Sequence, residues 1–316
     1  MLPTCASCFP GGQYVVQPAE RVFIIRNMSV AHDAPMSTRS AHVSKRPSRA
    51  GRDARAPVAA GAASAAPALV PAVERAVRLV DHLAGLRRPQ PLAELAKALG
   101  LPKSSLHGLL NTLVALGLAT RSERGEYALG PKPVQWAGAF GQQSGVVAAF
   151  DAAAAELPAL REETIMLAVL DGAEVLYLAC RPGTRALAVN FRVGGRFPAN
   201  CTSSGKAMLA TLPVERVRKL FGGAALVRLT RHSTGSVTAL LRQLGESRAQ
   251  GYAVDDEETA EGMHCFGAPV FAAGRDEAVA AVAVSLIKAS TSARRRDEVV
   301  TAIRQLAARV SQRLGA

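Results

Sequence analysis

The chain has 316 residues, of which 49% are hydrophobic and 20% charged, a composition typical of folded protein and a length sufficient for about two domains. No stretch approaches the roughly 20 uninterrupted apolar residues of a membrane-spanning helix, so an integral membrane protein is excluded and a cytoplasmic location is expected. The net charge of +13 favours a polyanionic partner. Basic residues are densest relative to acidic ones within the first 132 residues, where we expect any nucleic-acid contact.

The five cysteines form no metal-binding pattern. Cys5 and Cys8 are spaced as C-x-x-C, but no second pair or nearby histidine completes a zinc site. An odd number of cysteines without a disulfide framework indicates a reducing compartment. We therefore expect neither a metal ion nor a cofactor.

Residues 1–69 are rich in Ala, Arg, Ser and Pro and have little regular periodicity, which predicts a disordered basic extension. Apolar residues alternate over 14–26, but no partner strand of comparable quality follows, and the cleavage site of a secretory signal is missing. One alternative is a tail that adds nonspecific DNA affinity. Another is a translation start at Met28 or Met36.

Three helices are predicted in the next segment. Apolar residues recur at three- and four-residue steps over 71–85, 92–99 and 106–113. A break at 100–102, which contains a glycine and a proline, joins the second helix to the third. Two helices joined by a tight turn are the outline of a helix-turn-helix, in which the first helix braces the second for entry into the major groove of DNA.

A β-hairpin wing is predicted immediately afterwards. Two short extended runs, at 118–120 and 127–129, lie on either side of the polar turn at 121–125. Three helices and a wing make a winged helix-turn-helix domain over residues 70–132.

The apolar stripe of the third helix determines which of its residues face outward. Lysine, serine and a helix start suit phosphate oxygens, whereas asparagine pairs with adenine and histidine reaches a base edge or a phosphate. Ser104 is alternatively an N-cap and Asn111 a solvated surface residue, but as a set within this motif the groove-facing interpretation is preferred. The predicted DNA-binding residues are Lys103, Ser104, Ser105, His107, Asn111, Arg75, Arg121 and Arg124.

The remainder of the chain mixes helices and strands. Residues 133–150 predict a linker helix, and helix is expected to continue to about Leu160. Two apolar runs around Asp171-Gly172 give the strongest short-range hairpin signal in the chain. Further strands are predicted at 186–193 and 279–286, and a terminal helix at 299–314. Residues 151–316 are therefore expected to form an α+β domain with a largely antiparallel sheet.

An anion site is suggested by a Ser-Ser-Gly turn before a helix that is predicted to open at about Gly205. Backbone N–H groups at a helix start attract anions, so Ser203, Ser204 and the Gly205 amide are candidates for binding a carboxylate. The Gly-Lys pair is also found in nucleotide phosphate loops. However, Asn200 replaces the required leading glycine and Ala207 the magnesium-binding Ser or Thr, so nucleotide binding is excluded.

Residues 251–271 join a run of four acids to an apolar strand. Such a run is usually a solvated loop, and a cysteine in such a strand is usually part of the core. The alternative is a hydrolase with Cys265 or Cys201 as nucleophile and His264 or His232 as base. Because adjacent side chains on a strand point to opposite faces, His264 does not reach Cys265, and an enzyme is not expected.

These segments resemble the IclR family of bacterial transcriptional regulators. The resemblance covers residues 70–316 and rests on VPAVERAVRLVDHLA at 70–84, LAELAKALGLPKSSLHGLLNTLVALGLA at 92–119, GEYALGPK at 125–132, the Ser-Ser-Gly helix start and the acidic segment, with Leu229, Thr230 and Thr234 at family-like spacing. One departure is Gly108, where the family usually has Arg. Glycine costs about 1 kcal/mol of helix stability relative to alanine and removes a DNA contact. A sensor that has lost operator binding is therefore an alternative function.

The resemblance implies an N-terminal winged helix-turn-helix, a linker helix and a C-terminal GAF-like effector-binding domain whose pocket binds a small carboxylic acid. The implied pocket residues are Val189, Ser203, Ser204, Gly205, Asp255, Met263, Cys265 and Ser285. Small side chains at Ala186 and Ala283 leave room for a bulkier, aromatic acid. A homodimer or dimer of dimers on a palindromic operator is expected, because one recognition helix contacts only a few base pairs.

Overall fold

The computed structural model describes residues 69–184, 191–223 and 225–316. They belong to two compact units, one ending at Phe140 and the other beginning at Gly141. The predicted extension at 1–69, apart from Leu69, lies outside the described residues, as does most of the predicted strand at 186–193.

The first unit is the predicted winged helix-turn-helix. Its helices are α1 (Pro71–Gly85), α2 (Leu92–Leu99) and α3 (Lys103–Ala115), and its strands are β1 (Gln90–Pro91), β2 (Ala119–Arg121) and β3 (Glu126–Leu129). The strands form an antiparallel sheet in the order β1-β3-β2. Pairing of β2 with β3 confirms the predicted wing. Strand β1 was not predicted, because two residues are too few to show a strand period.

The core of this unit consists of the apolar stripes from which the helices were predicted. Leu79 of α1, Leu95 of α2 and Leu110 of α3 are fully buried and belong to one cluster with Tyr127 of the wing. Gly100 ends α2 with φ of +65°, a left-handed conformation that glycine adopts without steric cost. The helix-turn-helix angle therefore depends on a residue without a Cβ.

Two helices follow the wing. They are α4 (Lys132–Gln143) and α5 (Gly145–Ala155), separated at Ser144, and a 3₁₀ turn spans Pro158–Leu160. The expectation of continuous helix to Leu160 was wrong, because Pro158 lacks an N–H and disfavours helical backbone in the residue before it. No residue of α4 is buried.

The second unit is built on a six-stranded antiparallel sheet in the order β6-β5-β4-β9-β8-β7. The strands are β4 (Thr164–Asp171), β5 (Glu174–Arg181), β6 (Arg196–Pro198), β7 (Ala253–Asp256), β8 (Met263–Val270) and β9 (Ala280–Ile287). The helices are α6 (Ser203–Leu209), α7 (Val214–Phe221), α8 (Val237–Gln250) and α9 (Ala293–Arg313). The hairpin predicted at Asp171-Gly172, the strand near 279–286 and the terminal helix are confirmed.

Alternate residues of the sheet face two separate cores. One core joins Ile165, Leu167 and Val284 to α5 and α9. The other joins Met166 and Ala283 to α6, α7 and α8. The second face carries the polar residues implied as an effector site.

Two glycines of the first unit should respond oppositely to substitution by alanine. A Cβ at Gly130 would lie 2.2 Å from the Gly117 carbonyl oxygen, whereas one at Gly108 in α3 would meet nothing within 4 Å. We expect Gly130→Ala to lower the free energy of unfolding by about 1–3 kcal/mol and Gly108→Ala to raise it by about 1 kcal/mol. Urea unfolding followed by circular dichroism measures both, and equal midpoints for the two variants would contradict this account.

Candidate functional site

The predicted DNA-facing residues of α3 lie on its solvent side. Lys103, Ser104, Ser105, His107 and Asn111 are all exposed, while the leucines of the opposite stripe are buried. The Asn111 Nδ2 and His107 Nδ1 atoms are 3.4 Å apart. Pro102 is the N-cap of α3, so the alternative of Ser104 as N-cap is wrong. Ser104 lies in the first turn, where its hydroxyl is available to a partner.

The predicted arginines lie on two other elements. Arg121 and Arg124 are exposed on the wing, and the Arg121 guanidinium lies 5.7 Å from the centre of the Tyr127 ring. Arg75 is exposed on α1, where its Nε donates a hydrogen bond to the Pro71 carbonyl oxygen at 3.0 Å. Tyr127 therefore orients Arg121 in a way that the sequence did not indicate.

A row of polar side chains crosses the second face of the large sheet. Strand register places Thr164 opposite Ser285, Ser285 opposite Cys265, and Cys265 opposite Asp255. All four are buried, and the Cys265 Sγ donates a hydrogen bond to Ser285 Oγ at 3.3 Å. The sheet thus brings together three residues implied for the effector site, Asp255, Cys265 and Ser285. Thr164 was not anticipated.

Helix α6 begins beside this row. It starts at Ser203, two residues earlier than predicted, with Thr202 as N-cap. The Gly205 N–H donates to the Thr202 Oγ1 atom at 3.0 Å, so the expected free Gly205 amide is already bonded. Instead, Gly205 permits close packing, since a Cβ there would lie 2.3 Å from the Ala199 carbonyl oxygen.

The Ser204 hydroxyl lies near the Tyr177 phenol. Burial raises the pKa of Tyr177, and the nearby Ser204 hydroxyl opposes this rise. Ser204 Oγ is nevertheless buried without a partner at ordinary hydrogen-bond geometry in the described part of the chain. Tyr177 also packs edge-on against Phe191, with ring centres 5.4 Å apart. Tyr177 was missed, because only the folded sheet brings it to Ser204.

Asp255 of β7 is 1% exposed, and its side chain accepts hydrogen bonds from the turn that follows the strand. Its Oδ1 atom accepts N–H groups from Glu258 at 2.8 Å and Thr259 at 3.1 Å. Burial raises the Asp255 pKa to about 6, although Thr259 and Lys206 favour its ionised form. The carboxyl is therefore neutral below about pH 6.

The acidic run is divided between interior and surface. Asp256 and Glu257 pair with Lys288 at the surface at 2.7 and 3.4 Å. Asp255 and Glu258 are buried, so the expectation of a solvated loop was wrong for these two. Asp255 faces inward from β7, opposite Cys265, and the left-handed turn at Glu257, with φ of +61°, brings Glu258 to the interior as well.

The two remaining implied pocket residues are Met263 and Val189. Met263 is buried at the start of β8 and belongs to the core on the same face as Cys265. Val189 lies outside the described residues.

The candidate thiol nucleophiles are not activated. Burial raises the Cys265 pKa well above its usual value and that of Cys201 to about 11. The Cys201 thiol donates to the Val227 carbonyl oxygen at 3.3 Å. His264 packs its ring against Phe266, with centres 4.6 Å apart. Since thiolate is the nucleophilic form, this arrangement disfavours cysteine chemistry.

Within the described ranges, no three His, Cys, Asp or Glu side chains are placed to hold a metal ion. None of the helices in that same part of the chain is both long enough and apolar enough to cross a membrane.

The chain is similar to known regulators over most of its described length. It is 33% identical over 207 residues to the HTH-type transcriptional regulator XynR of Escherichia coli (strain K12), covering 63% of this chain and 80% of that protein. The crystal structure of the repressor BlcR from Agobacterium tumefaciens matches with 36% identity and a TM-score of 0.50, covering 78% of this chain and 98% of that one.

A third similarity is to an IclR homologue of Microbacterium hydrocarbonoxydans, crystallised in complex with 4-hydroxybenzoate. It has 21% identity and a TM-score of 0.64, and covers 77% of this chain and 99% of that one. At this identity the similarity shows the fold alone.

Family models match both units. The IclR helix-turn-helix domain matches residues 72–123, and the bacterial transcriptional regulator IclR C-terminal domain matches residues 141–312, more than half of the chain. The protein therefore belongs to the IclR family and is a transcriptional regulator with a DNA-binding and an effector-binding domain.

Proposed function

We propose that the protein binds a palindromic operator sequence-specifically and that a small organic acid in the second unit modulates this binding. The observation that carries the proposal is the face of α3, where exposed polar side chains lie opposite the buried Leu106, Leu110 and Leu113. Such a helix is braced by its own unit and presents its polar side to the major groove.

The side chains of α3 divide into two kinds of contact. Lys103, Ser104 and Ser105 lie at the helix start, where N–H groups and a positive charge suit phosphate oxygens. His107 and Asn111 lie one and two turns further along, where they face base edges. Arg121 and Arg124 of the wing and Arg75 add phosphate contacts.

Exposed apolar side chains support a homodimer or a dimer of dimers. Val73 and Val77 of α1 are 60% and 53% exposed, and Val134, Trp136 and Phe140 of α4 are more than half exposed. Apolar patches of this kind usually mark a protein interface. A second copy of the chain would cover them and supply the second recognition helix for a palindrome.

The buried cluster supports an acid effector of aromatic type. Ser204 and Tyr177 offer hydroxyl groups, and Ser285, with Cys265 and Asp255, adds hydrogen-bonding groups nearby. Ala283 on the same face has a small side chain. The 4-hydroxybenzoate in the Microbacterium structure belongs to this chemical class. An effector that binds one arrangement of the dimer more tightly shifts the population towards it and so changes operator affinity.

A sensor without operator binding is the second candidate, and Gly108 favours it, since this position lacks the arginine usual in the family. A gel-shift assay on the chain's own promoter region distinguishes the two functions. A specific shift at moderate salt is expected. Specific binding by Gly108→Arg but not by the parent would favour the sensor.

Two substitutions in α3 should separate phosphate contacts from base contacts. Lys103→Ala should weaken operator and nonspecific DNA alike and reduce the slope of log K against log salt by about 1. Asn111→Ala should cost about 1–3 kcal/mol on the operator only. Fluorescence anisotropy at several salt concentrations measures both.

Lys219→Ala, which removes an exposed lysine from α7, is the matched control and should bind as the parent does. If Asn111→Ala weakened both DNAs equally, direct base contact by Asn111 would be ruled out.

The effector proposal predicts stabilisation by 4-hydroxybenzoate. At 100 times its Kd the ligand should raise the free energy of unfolding by about 2.7 kcal/mol. Ser204→Ala should weaken binding about tenfold or more, since a hydrogen bond to a charged group is lost. Ser290→Ala, which alters an exposed serine of the same unit, is the control. Thermal shift and calorimetry provide the measurements, and an unchanged Kd for Ser204→Ala would contradict the assigned role.

Binding of 4-hydroxybenzoate should depend on the ionisation of Asp255. Lys206, Glu258 and Cys265 face this carboxyl, and its pKa is raised to about 6, so it is neutral below and ionised above that value. An ionised carboxyl repels a carboxylate ligand, so affinity should rise about tenfold as the pH falls from about 7.5 to 5.5. Titration calorimetry on the parent and Asp255→Asn tests this. The same pH dependence in Asp255→Asn would assign it to another group.

A further inference from the structure

Helix α6 carries a lysine that is buried with its charge. Lys206 is 1% exposed, and its Nζ lies 2.5 Å from Glu258 Oε1, on a side chain that is 5% exposed. Removing two charges from water costs several kcal/mol per ion, which their attraction offsets only with good geometry and further hydrogen bonds. A buried ion pair of this kind is weak evidence that it stabilises the fold. The burial of Lys206 and Glu258 therefore requires another explanation.

Glu258 connects four parts of the second unit. Its carboxylate accepts Gln243 Nε2 of α8 at 3.3 Å and Thr234 Oγ1 at 3.5 Å, in addition to Lys206 of α6. Its backbone N–H donates to Asp255 Oδ1 at 2.8 Å. A displacement of Glu258 would therefore move both the lysine of α6 and the carboxyl of Asp255.

The start of α6 is held from two directions. On the side of the sheet, Gly267 of β8 packs against the backbone of Ser203, and a Cβ at this glycine would lie only 2.6 Å from that backbone. To the side, Lys206 is one turn after Ser203 and reaches Glu258 across 52 residues of sequence. These contacts leave little freedom for Ser203 and Ser204 relative to Asp255.

We propose that the Lys206–Glu258 pair is a positioning device for the effector site. It fixes the distance between the serines at the start of α6 and the carboxyl of Asp255, and it determines effector affinity rather than overall stability. This inference rests on the proposed effector function.

The test compares single and double substitutions. Lys206→Met leaves Glu258 buried without its cation, so it should lower the Tm markedly. Lys206→Met combined with Glu258→Gln removes both charges and retains acceptor and donor atoms for Gln243 and Thr234. The double variant should therefore regain most of the Tm lost in Lys206→Met. In the double variant we still expect about tenfold weaker 4-hydroxybenzoate binding and about tenfold faster hydrogen exchange in the peptide at 203–209.

Arg295→Met is the control, because it removes a guanidinium that lies 3.2 Å from Glu163, another buried carboxylate of the same unit. It should lower the Tm without affecting exchange in α6 or the ligand Kd. A double variant with parental exchange and parental Kd would overturn the proposal. If the parent itself did not bind 4-hydroxybenzoate, that effector assignment would fail, and exchange in the double variant would still decide whether the pair positions α6.

Discussion

The close approach of α6 to strand β8 is the constraint on which the effector unit depends. A Cβ at Gly267 would overlap the backbone of Ser203, and a Cβ at Gly205 would overlap that of Ala199. Glycine is therefore required at Gly267 for the approach of β8 to α6, and at Gly205 for the packing of α6 against Ala199. Because the helix lies directly on the strand, its first residues are close to Cys265, two positions away on the same face. Polar side chains from distant segments thereby meet in a largely apolar core.

The left-handed backbone of Glu257 allows Asp255 and Glu258 both to lie in the interior. Asp255 and Glu258 are three positions apart, so in a regular strand they would point to opposite faces. Asp255 faces inward from β7, and a turn with φ of +61° at Glu257 brings Glu258 inward too. A left-handed conformation costs roughly 1–2 kcal/mol for a residue with a Cβ. The N–H groups of Glu258 and Thr259, both donated to Asp255 Oδ1, help to offset this strain.

The sequence predicted what local periodicity determines. Helices α1 to α3, the wing and the hairpin at Gly172 depend on contacts between neighbouring segments, and all are in the structure. Contacts between distant segments were not predictable. Tyr177 meets Ser204, and Lys206 meets Glu258, only after the sheet has formed. The Gly205 amide was misjudged for a local reason, since Thr202 was not recognised as the cap that occupies it.

Packing among the described residues does not explain Gly108. The residue is exposed on α3, and a Cβ there would meet nothing within 4 Å, so alanine would fit and would stabilise the helix. A glycine on a face proposed to enter the major groove allows closer approach of the backbone to a partner, because no side chain intervenes. His107 and Asn111, which flank this position along the helix, would then reach deeper into the groove. On the proposed DNA-binding role, recognition would then depend on these two side chains and on the residues at the start of α3.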